Sequence, residues 1–334
     1  MNHEILRLLI EAGANGDVEW CDVVMLYNYA PVPPPYARAS IPAWNRGFNL
    51  TVLSHGQPAF FAKCRPAGEP ILQRATAIRS CLASDQSAGL AVPAARVASS
   101  ERISVQVSRF LRGPHYGHVV RRQPTRAYVE SLRSVLAGNA TLSRRAQREC
   151  LGAWSSSATI GVAESASASL ADVAALAMLD SGERKALDTA VMNAGEVPSR
   201  PQHGDFWWQN LLVADGRVWV IDFDSYGEVR VPLFDDVTLI LGTLGLRAGG
   251  AVAGLARLVS GEAEGRECRG LLAERADAEG LTASQVDGTL IYFLAHMASS
   301  VHRRGGSRFG APHVAALRFA AQRLADGKRL LSPW

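Results

Sequence analysis

The stretch Gln202-His203-Gly204-Asp205-Phe206-Trp207-Trp208-Gln209-Asn210, followed shortly by Val220-Ile221-Asp222-Phe223-Asp224, decides how this chain is read. Between the two lie Leu211-Leu212-Val213, a turn at Ala214-Asp215-Gly216, and Val218-Trp219-Val220-Ile221. Short apolar runs flanking an Asp-Gly turn predict a β-hairpin. The hairpin would carry Asp205 and Asn210 ahead of its first strand and Asp222 at the end of its second. Phosphoryl transfer to a hydroxyl asks for few protein groups. One carboxylate orients the acceptor hydroxyl and takes its proton, a role that fits Asp205. Oxygen ligands hold Mg²⁺ against the phosphates. Mg²⁺ favours few carboxylates, with phosphate oxygens and water completing its shell, which suits the amide of Asn210 and the carboxylate of Asp222.

The pattern His-Gly-Asp, four residues, Asn, then a hairpin and Ile-Asp-Phe-Asp resembles the catalytic and metal-binding segments of aminoglycoside phosphotransferases, choline kinases and related kinase-like enzymes. The resemblance is strong over residues 200–240 and pattern-level over 45–115; elsewhere it extends only to helical character. It implies an α+β, two-lobed protein-kinase-like fold with a small antiparallel β-rich N-terminal lobe and a larger, mainly helical C-terminal lobe. It implies ATP and Mg²⁺ as cofactors, Asp205 as catalytic base, and Asn210 and Asp222 as metal ligands. His203 would brace the catalytic loop. Asp235 resembles an aspartate that braces the same loop from a helix start, although a helix N-cap favours the same residue type. Asp224 is either a second group beside the metal or a polar strand end. Trp207 and Trp208 either wall the acceptor pocket or pack.

The nucleotide side is read from Ala59-Phe60-Phe61-Ala62-Lys63-Cys64. A lone Lys on an apolar strand needs a partner or solvent. By resemblance Lys63 contacts the α- and β-phosphates; otherwise it snorkels from a sheet edge. Asn45-Arg46-Gly47-Phe48-Asn49 would be the phosphate-covering turn, with Asn45 and Gly47 at the nucleotide. Val107–Gly113 would join the lobes. Kinase-like folds pair the strand lysine with a glutamate on the next helix. Here that position, just after Arg74, is Ala75. Either Glu69, near the helix start, pairs with Lys63, or the pair is missing.

Working outward, helical spacing of Ile5, Leu8 and Leu9 predicts a helix over 3–13. Val23–Tyr27, Phe48–Ser54, Ala59–Cys64 and Ile103–Phe110 read as strands, and 71–83 as a helix. Pro31, Pro33, Pro34 and Pro35 exclude regular structure and predict a stiff connector. Beyond 113 the periodicity predicts helices over 126–137, 143–153, 170–193, 233–260, 284–302 and 312–331. The Ser/Ala-rich stretch 154–170 reads as a mobile loop or weak helix start. The expected organisation is 1–40 as an extension packing on the small lobe, 41–112 as the nucleotide-binding lobe, and 113–334 as the helical lobe with the acceptor site.

The 334 residues are 48% hydrophobic and 20% charged, ordinary for a globular protein. No apolar run reaches the length of a membrane span, and no secretory signal is recognisable at the start. The five cysteines (Cys21, Cys64, Cys81, Cys150, Cys268) are scattered, and reduced thiols in a cytoplasmic protein are expected. A net charge of +4 does not argue for nucleic acid. The short stretch between Asp222 and Asp235 leaves no room for an activation segment that docks a polypeptide, so the partner is a small-molecule hydroxyl acceptor. From residue 289 onward seven Lys/Arg face one acid, with His296, His302, Arg303, Arg304 and Arg308 close together. His115, His118, Arg121 and Arg122 form a second basic group. Polycations need carboxylates, so a neutral or anionic sugar-like metabolite is the expected acceptor. The alternatives are a pseudokinase serving as a nucleotide-binding module, and an atypical protein kinase.

Overall fold

The computed structural model describes residues 2–13, 24–28, 47–54, 56–83, 89–150, 159–174, 176–303 and 307–331, leaving the side chains of 2, 24–28 and 301–311 outside the description. The chain forms two compact units, Met1–Gly113 with Ala214–Asp224, and Pro114–Val213 with Ser225–Trp334.

The first unit is built on a five-stranded sheet. Its strands are β1 (Val24–Asn28), β2 (Phe48–Ser54), β3 (Gln57–Pro66), β5 (Ala95–Ser99) and β6 (Ile103–Arg109), ordered β1-β2-β3-β6-β5. All neighbours pair antiparallel. Helix α1 (Asn2–Gly13) covers one face of the sheet. Its Ile5, Leu8, Leu9 and Ala12 join Leu50, Val52, Ala62, Cys64, Val105 and Val107 in one buried cluster. Fully burying a Leu or Ile contributes about 1.5–3 kcal/mol, so this stripe is the main anchor of α1. The period-2 alternation of strands sends the intervening residues to the other face. There Ser104, Gln106, Ser108 and Lys63 are buried as well, with α2 (Ile71–Leu82) against β5 and β6. One face is therefore oily and the other polar. A short strand β4 (Leu90–Ala91) pairs in parallel with β10 (Arg217–Val220). Neither β4 nor β5 was expected, because Leu90–Val97 is rich in alanine and interrupted by Pro93, which hides any strand period.

The second unit is mainly helical. Its elements are α3 (Tyr116–Val120), α4 (Thr125–Arg145), β7 (Thr159–Gly161), α5 (Val162–Ala174), α6 (Ser181–Ala194), β8 (Glu196–Pro198) and α7 (Phe234–Ala248), then α8 (Ala251–Val259), α9 (Ala263–Glu279), α10 (Ala283–Arg303) and α11 (Ser307–Ala325). Strand β9 (Leu211–Ala214) leads through the Asp215-Gly216 turn toward β10. Helix α7 is buried continuously from Phe234 to Gly245, which makes it a central element. Helix α10 packs against α5, α6, α7 and α11.

Several expected boundaries are corrected. The helices expected over 126–137 and 143–153 are α4 running on into a π-helical turn at Ala146–Cys150, so Gly138 and Asn139 do not break it. The helix expected over 170–193 is two. Asp180 starts α6 with a capping box, its side chain accepting from Glu183 N–H at 2.7 Å while Glu183 accepts from Asp180 N–H at 3.0 Å. The expected 233–260 helix breaks at Gly249-Gly250, both at positive φ, and α7 and α8 diverge by 107°. Of the stretch 154–170, residues 154–158 lie outside the described residues, 159–161 form β7, which pairs with β8, and 162–170 are the first part of α5. Helix α9 was missed because charged residues interrupt its apolar period.

No single helix among the described residues is long and apolar enough to cross a membrane. Cys64 and Cys268 are free and buried. Cys81 and Cys150 each take part in a disulfide, which corrects the expectation of reduced thiols throughout; scattered spacing carries no pairing signal.

Candidate functional site

In the second unit the loop ahead of β9 is held by its own backbone. The Asp235 carboxylate, in the first turn of α7, accepts from His203 N–H at 2.7 Å and from Gly204 N–H at 3.0 Å. Gln202 Oε1 accepts from Asp235 N–H in return, at 3.3 Å. Asp235 thus braces the loop; the N-cap of α7 is Leu233, without a side-chain cap. Burial pushes the Asp235 carboxyl up to about 7, against the pull of those two backbone donors. Gly204 sits at φ +80, and a Cβ there would lie 2.9 Å from the Ser225 carbonyl oxygen, so only glycine fits. The His203 ring meets Phe206 edge-on at 5.8 Å.

The same loop presents Asp205 and Asn210 as a pair. Asn210 Nδ2 donates to the Asp205 carbonyl at 2.8 Å and to Asp205 Oδ2 at 2.9 Å. A short 3₁₀ turn, Trp208–Asn210, supplies this geometry. With the amide nitrogen turned to Asp205, the amide oxygen is the atom left to meet a cation. That donor set suits Mg²⁺, which takes neutral and anionic oxygens.

In the first unit Lys63 reaches two carboxylates. Its Nζ lies 2.5 Å from Asp222 Oδ1 and 2.9 Å from Asp224 Oδ1, with the lysine side chain 7% exposed and Asp222 37% exposed. Strand register explains the direction, since Lys63 pairs with Gln106 on the polar face of the sheet. Asp222 adopts φ +63, a left-handed conformation that costs a non-glycine residue on the order of 1 kcal/mol or more. Three arginines complete the cluster. Arg65 Nη2 lies 3.5 Å from Asp224 Oδ2, and Arg74 donates to the Asp224 carbonyl at 3.0 Å. Arg79 is buried, donating to Gln106 Oε1 and to the Pro93 carbonyl. Burial lowers its pKa to about 10, while Asp222 and Asp224 oppose the shift. Among the described residues, no group of three or more His, Cys, Asp or Glu side chains is placed to hold a metal by itself.

The remaining expected residues fall as follows. Gly47 is at φ +72, and a Cβ there would meet the Cys64 carbonyl oxygen and Arg65 Cδ, each at 2.6 Å. Asn45 lies outside the described residues. Glu69 is exposed in the turn before α2. Among the described residues it makes no ion pair with Lys63, whose carboxylate partners are Asp222 and Asp224, so of the two alternatives the structure shows the one in which the helix-side pair is missing. Of the basic residues near the C-terminus, His296 packs its ring against Phe234 at 5.3 Å and Tyr292 at 5.6 Å. The side chains of His302, Arg303, Arg304 and Arg308 lie outside the description.

Sequence reasoning passed over Arg65, Arg74 and Arg79. For Arg79 the signal was present, because an arginine on the packed side of a helix demands a buried acceptor. Trp207 and Trp208, expected either to wall the acceptor pocket or to pack, border a cavity of about 430 Å³ in the second unit, together with the α7–α8 corner, which was not expected. Trp207 lies 6.3 Å from Phe293 and 5.8 Å from His313 between ring centroids, and Trp208 lies 5.8 Å from His118.

No protein-family model and no curated protein matches the sequence. Solved structures do match in fold. The aminoglycoside phosphotransferase APH(2″)-IIIa, in complex with GDP and kanamycin, superposes with a TM-score of 0.58 at 11% identity, covering 96% of this chain and 98% of that one. A thermostable mutant of the aminoglycoside phosphotransferase APH(4)-Ia, in ternary complex with AMP-PNP and hygromycin B, gives 0.54 at 12% identity over 97% of this chain and 98% of that one. A glucosamine kinase gives 0.50 at 15% identity over 89% and 80%. The chain therefore has the α+β fold of aminoglycoside phosphotransferases, as its motif implied.

Proposed function

We propose that this chain is an ATP-dependent phosphotransferase that moves the γ-phosphate to a hydroxyl of a small molecule. The Asp205–Asn210 pair carries this reading. A carboxylate held by an amide nitrogen is aimed rather than free to rotate, and the amide oxygen is left for a cation. Asp205 is the base that orients the acceptor hydroxyl and takes its proton. Asn210 and Asp222 are the protein's ligands for Mg²⁺, which when bound would neutralise charge on the phosphates. Lys63, Gly47 and Asn45 belong to the nucleotide side. Asp235 keeps Gly204 and the residue after it in register by accepting two backbone donors. The fold likeness to nucleotide-bound phosphotransferases supports the same reading, as does the Lys63–Asp222 ion pair, which joins the phosphate-side cation to a metal-side carboxylate.

Transfer of a metaphosphate-like group asks for positioning and electrostatics rather than covalent chemistry. Every group named here does one of those two things. The test is Asp205→Asn. The variant retains MgATP binding by calorimetry and loses turnover by a factor on the order of 10²–10⁴, the usual worth of a positioned base. Near-normal turnover in that variant refutes the assignment. A nucleotide-binding module without turnover is the second reading. The observation that favours it is the exposed Glu69, with Ala75 where the helix acid of a kinase would stand. MgATP binding with no transfer to any acceptor, unaltered by Asp205→Asn, would support it.

A further inference from the structure

The cavity beside the loop has a chemistry that narrows the acceptor. Its walls are indole, phenyl and aliphatic: Trp207, Trp208, Leu241, Leu246, Phe293 and Leu294. Glycines shape the rest. A Cβ on Gly242 would sit 2.6 Å from the Trp207 ring, and one on Gly117 would collide with the Trp208 ring. The two indoles are thus seated against backbone, in fixed positions, before any ligand arrives. The volume of about 430 Å³ lies in the range of small-molecule sites.

Charge is equally informative. Among the described residues that border the cavity there is no carboxylate; the ionisable side chains are Arg121 and His313. Burial lowers the pKa of His313 below its ordinary value, which favours the neutral ring at neutral pH. A polyamine entering here would lose hydration without gaining a counter-charge, and would meet the Arg121 guanidinium. A ring-bearing alcohol loses little hydration on its carbon faces, and these match the indoles. The cavity is bordered by the residues two and three places after Asp205, on the loop that Asp235 braces.

We infer that this cavity receives the acceptor and selects an uncharged, hydroxyl-bearing molecule with an aromatic or alicyclic body, such as a glycoside with an apolar aglycone, over polycationic aminosugars. The inference rests on the phosphotransferase reading and refines the sugar-like metabolite expected from charge alone. It places the apolar body against Trp208 and Leu246, and leaves Arg121 at the rim as a barrier to cations.

The experiment measures binding to the full chain without nucleotide, by tryptophan quenching and calorimetry. The probes are phenyl β-glucoside, methyl β-glucoside and kanamycin. Phenyl β-glucoside is expected to bind at least tenfold tighter than either of the other two. Trp208→Ala should weaken it about tenfold or more, while the methyl glucoside changes little. Arg121→Glu, on the exposed rim where refolding is not at risk, should raise kanamycin affinity several-fold without improving phenyl β-glucoside. Kanamycin binding tightest to the unaltered chain, or phenyl β-glucoside binding insensitive to Trp208→Ala, overturns the inference. Neither result touches the phosphotransferase reading, which stands or falls on MgATP binding and transfer.

Discussion

Asp235→Asn perturbs the loop with nearly no change of shape. In the native chain the carboxylate accepts two backbone N–H groups, from His203 and Gly204. An amide has one acceptor oxygen, so one donor is left facing an NH₂ group. A buried donor without an acceptor costs about 1–3 kcal/mol. Against this stands the carboxyl's own titration, raised by burial from 3.8 to about 7. For an acid whose pKa is raised by folding, the folded state holds the proton more tightly. Its contribution to stability is fully present below the unfolded pKa and is lost as pH rises through the folded one. At pH 5 the group is about two units below its folded pKa, worth on the order of 3 kcal/mol; at pH 8 almost nothing remains. Asn does not titrate. The stability difference between native chain and variant should therefore shrink by about 2–3 kcal/mol between pH 5 and pH 8. Urea unfolding followed by tryptophan fluorescence at several pH values measures this directly. Other carboxylates raised by burial, such as Asp236 and Asp287, titrate in both proteins and cancel in the difference, apart from the coupling between Asp235 and Asp236. Parallel stability curves across that range would refute the reasoning.

Other substitutions probe the remaining parts. Asp222→Ala should raise the Mg²⁺ concentration needed for half-maximal turnover by tenfold or more; an unchanged metal titration contradicts the ligand assignment. Lys63→Met leaves Asp222 and Asp224 without their nearest cation, though Arg65 and Arg74 remain at Asp224. Breaking a buried ion pair costs about 3–5 kcal/mol, and the partial exposure of Asp222 should bring this chain's loss to about 1–3 kcal/mol. Nucleotide affinity should fall more than stability does, which calorimetry and thermal melting together decide. Gly204→Ala should reduce turnover while leaving nucleotide binding near normal, because the strain falls on the loop.

Much of this was legible in the chain itself. His-Gly-Asp and the distant Asn stand out because the resembled enzymes place these residue types at this spacing, and the structure brings Asp205 and Asn210 into hydrogen-bond contact. The hairpin could be read because Asp-Gly forces a turn. Lys63 could be read because a buried lysine on an apolar strand stands out. What escaped notice depended on tertiary context. Ala75 gave no hint that the lysine's partners would be Asp222 and Asp224, more than 150 residues away. The helix break at Gly249-Gly250 was masked because α7 is buried on all sides, so apolar residues such as Val237, Leu239, Ile240, Leu241 and Leu244 fall on every face and blur the helical period. The strands β4 and β5 are alanine-rich, with Val97 their one β-branched residue, and were invisible to propensity. The cavity is made by glycines that admit indoles, a relation between Gly117 and Trp208 that no local pattern contains.

The most direct test of the account is acceptor phosphorylation read by mass spectrometry. A mixture of neutral glycosides, sugars and aminoglycosides is incubated with ATP and Mg²⁺ and either the native chain or Asp205→Asn. The account predicts a component that gains a phosphate with the native chain and not with the variant. Equal phosphate gain with both proteins, or none with a native chain that binds MgATP, would contradict it.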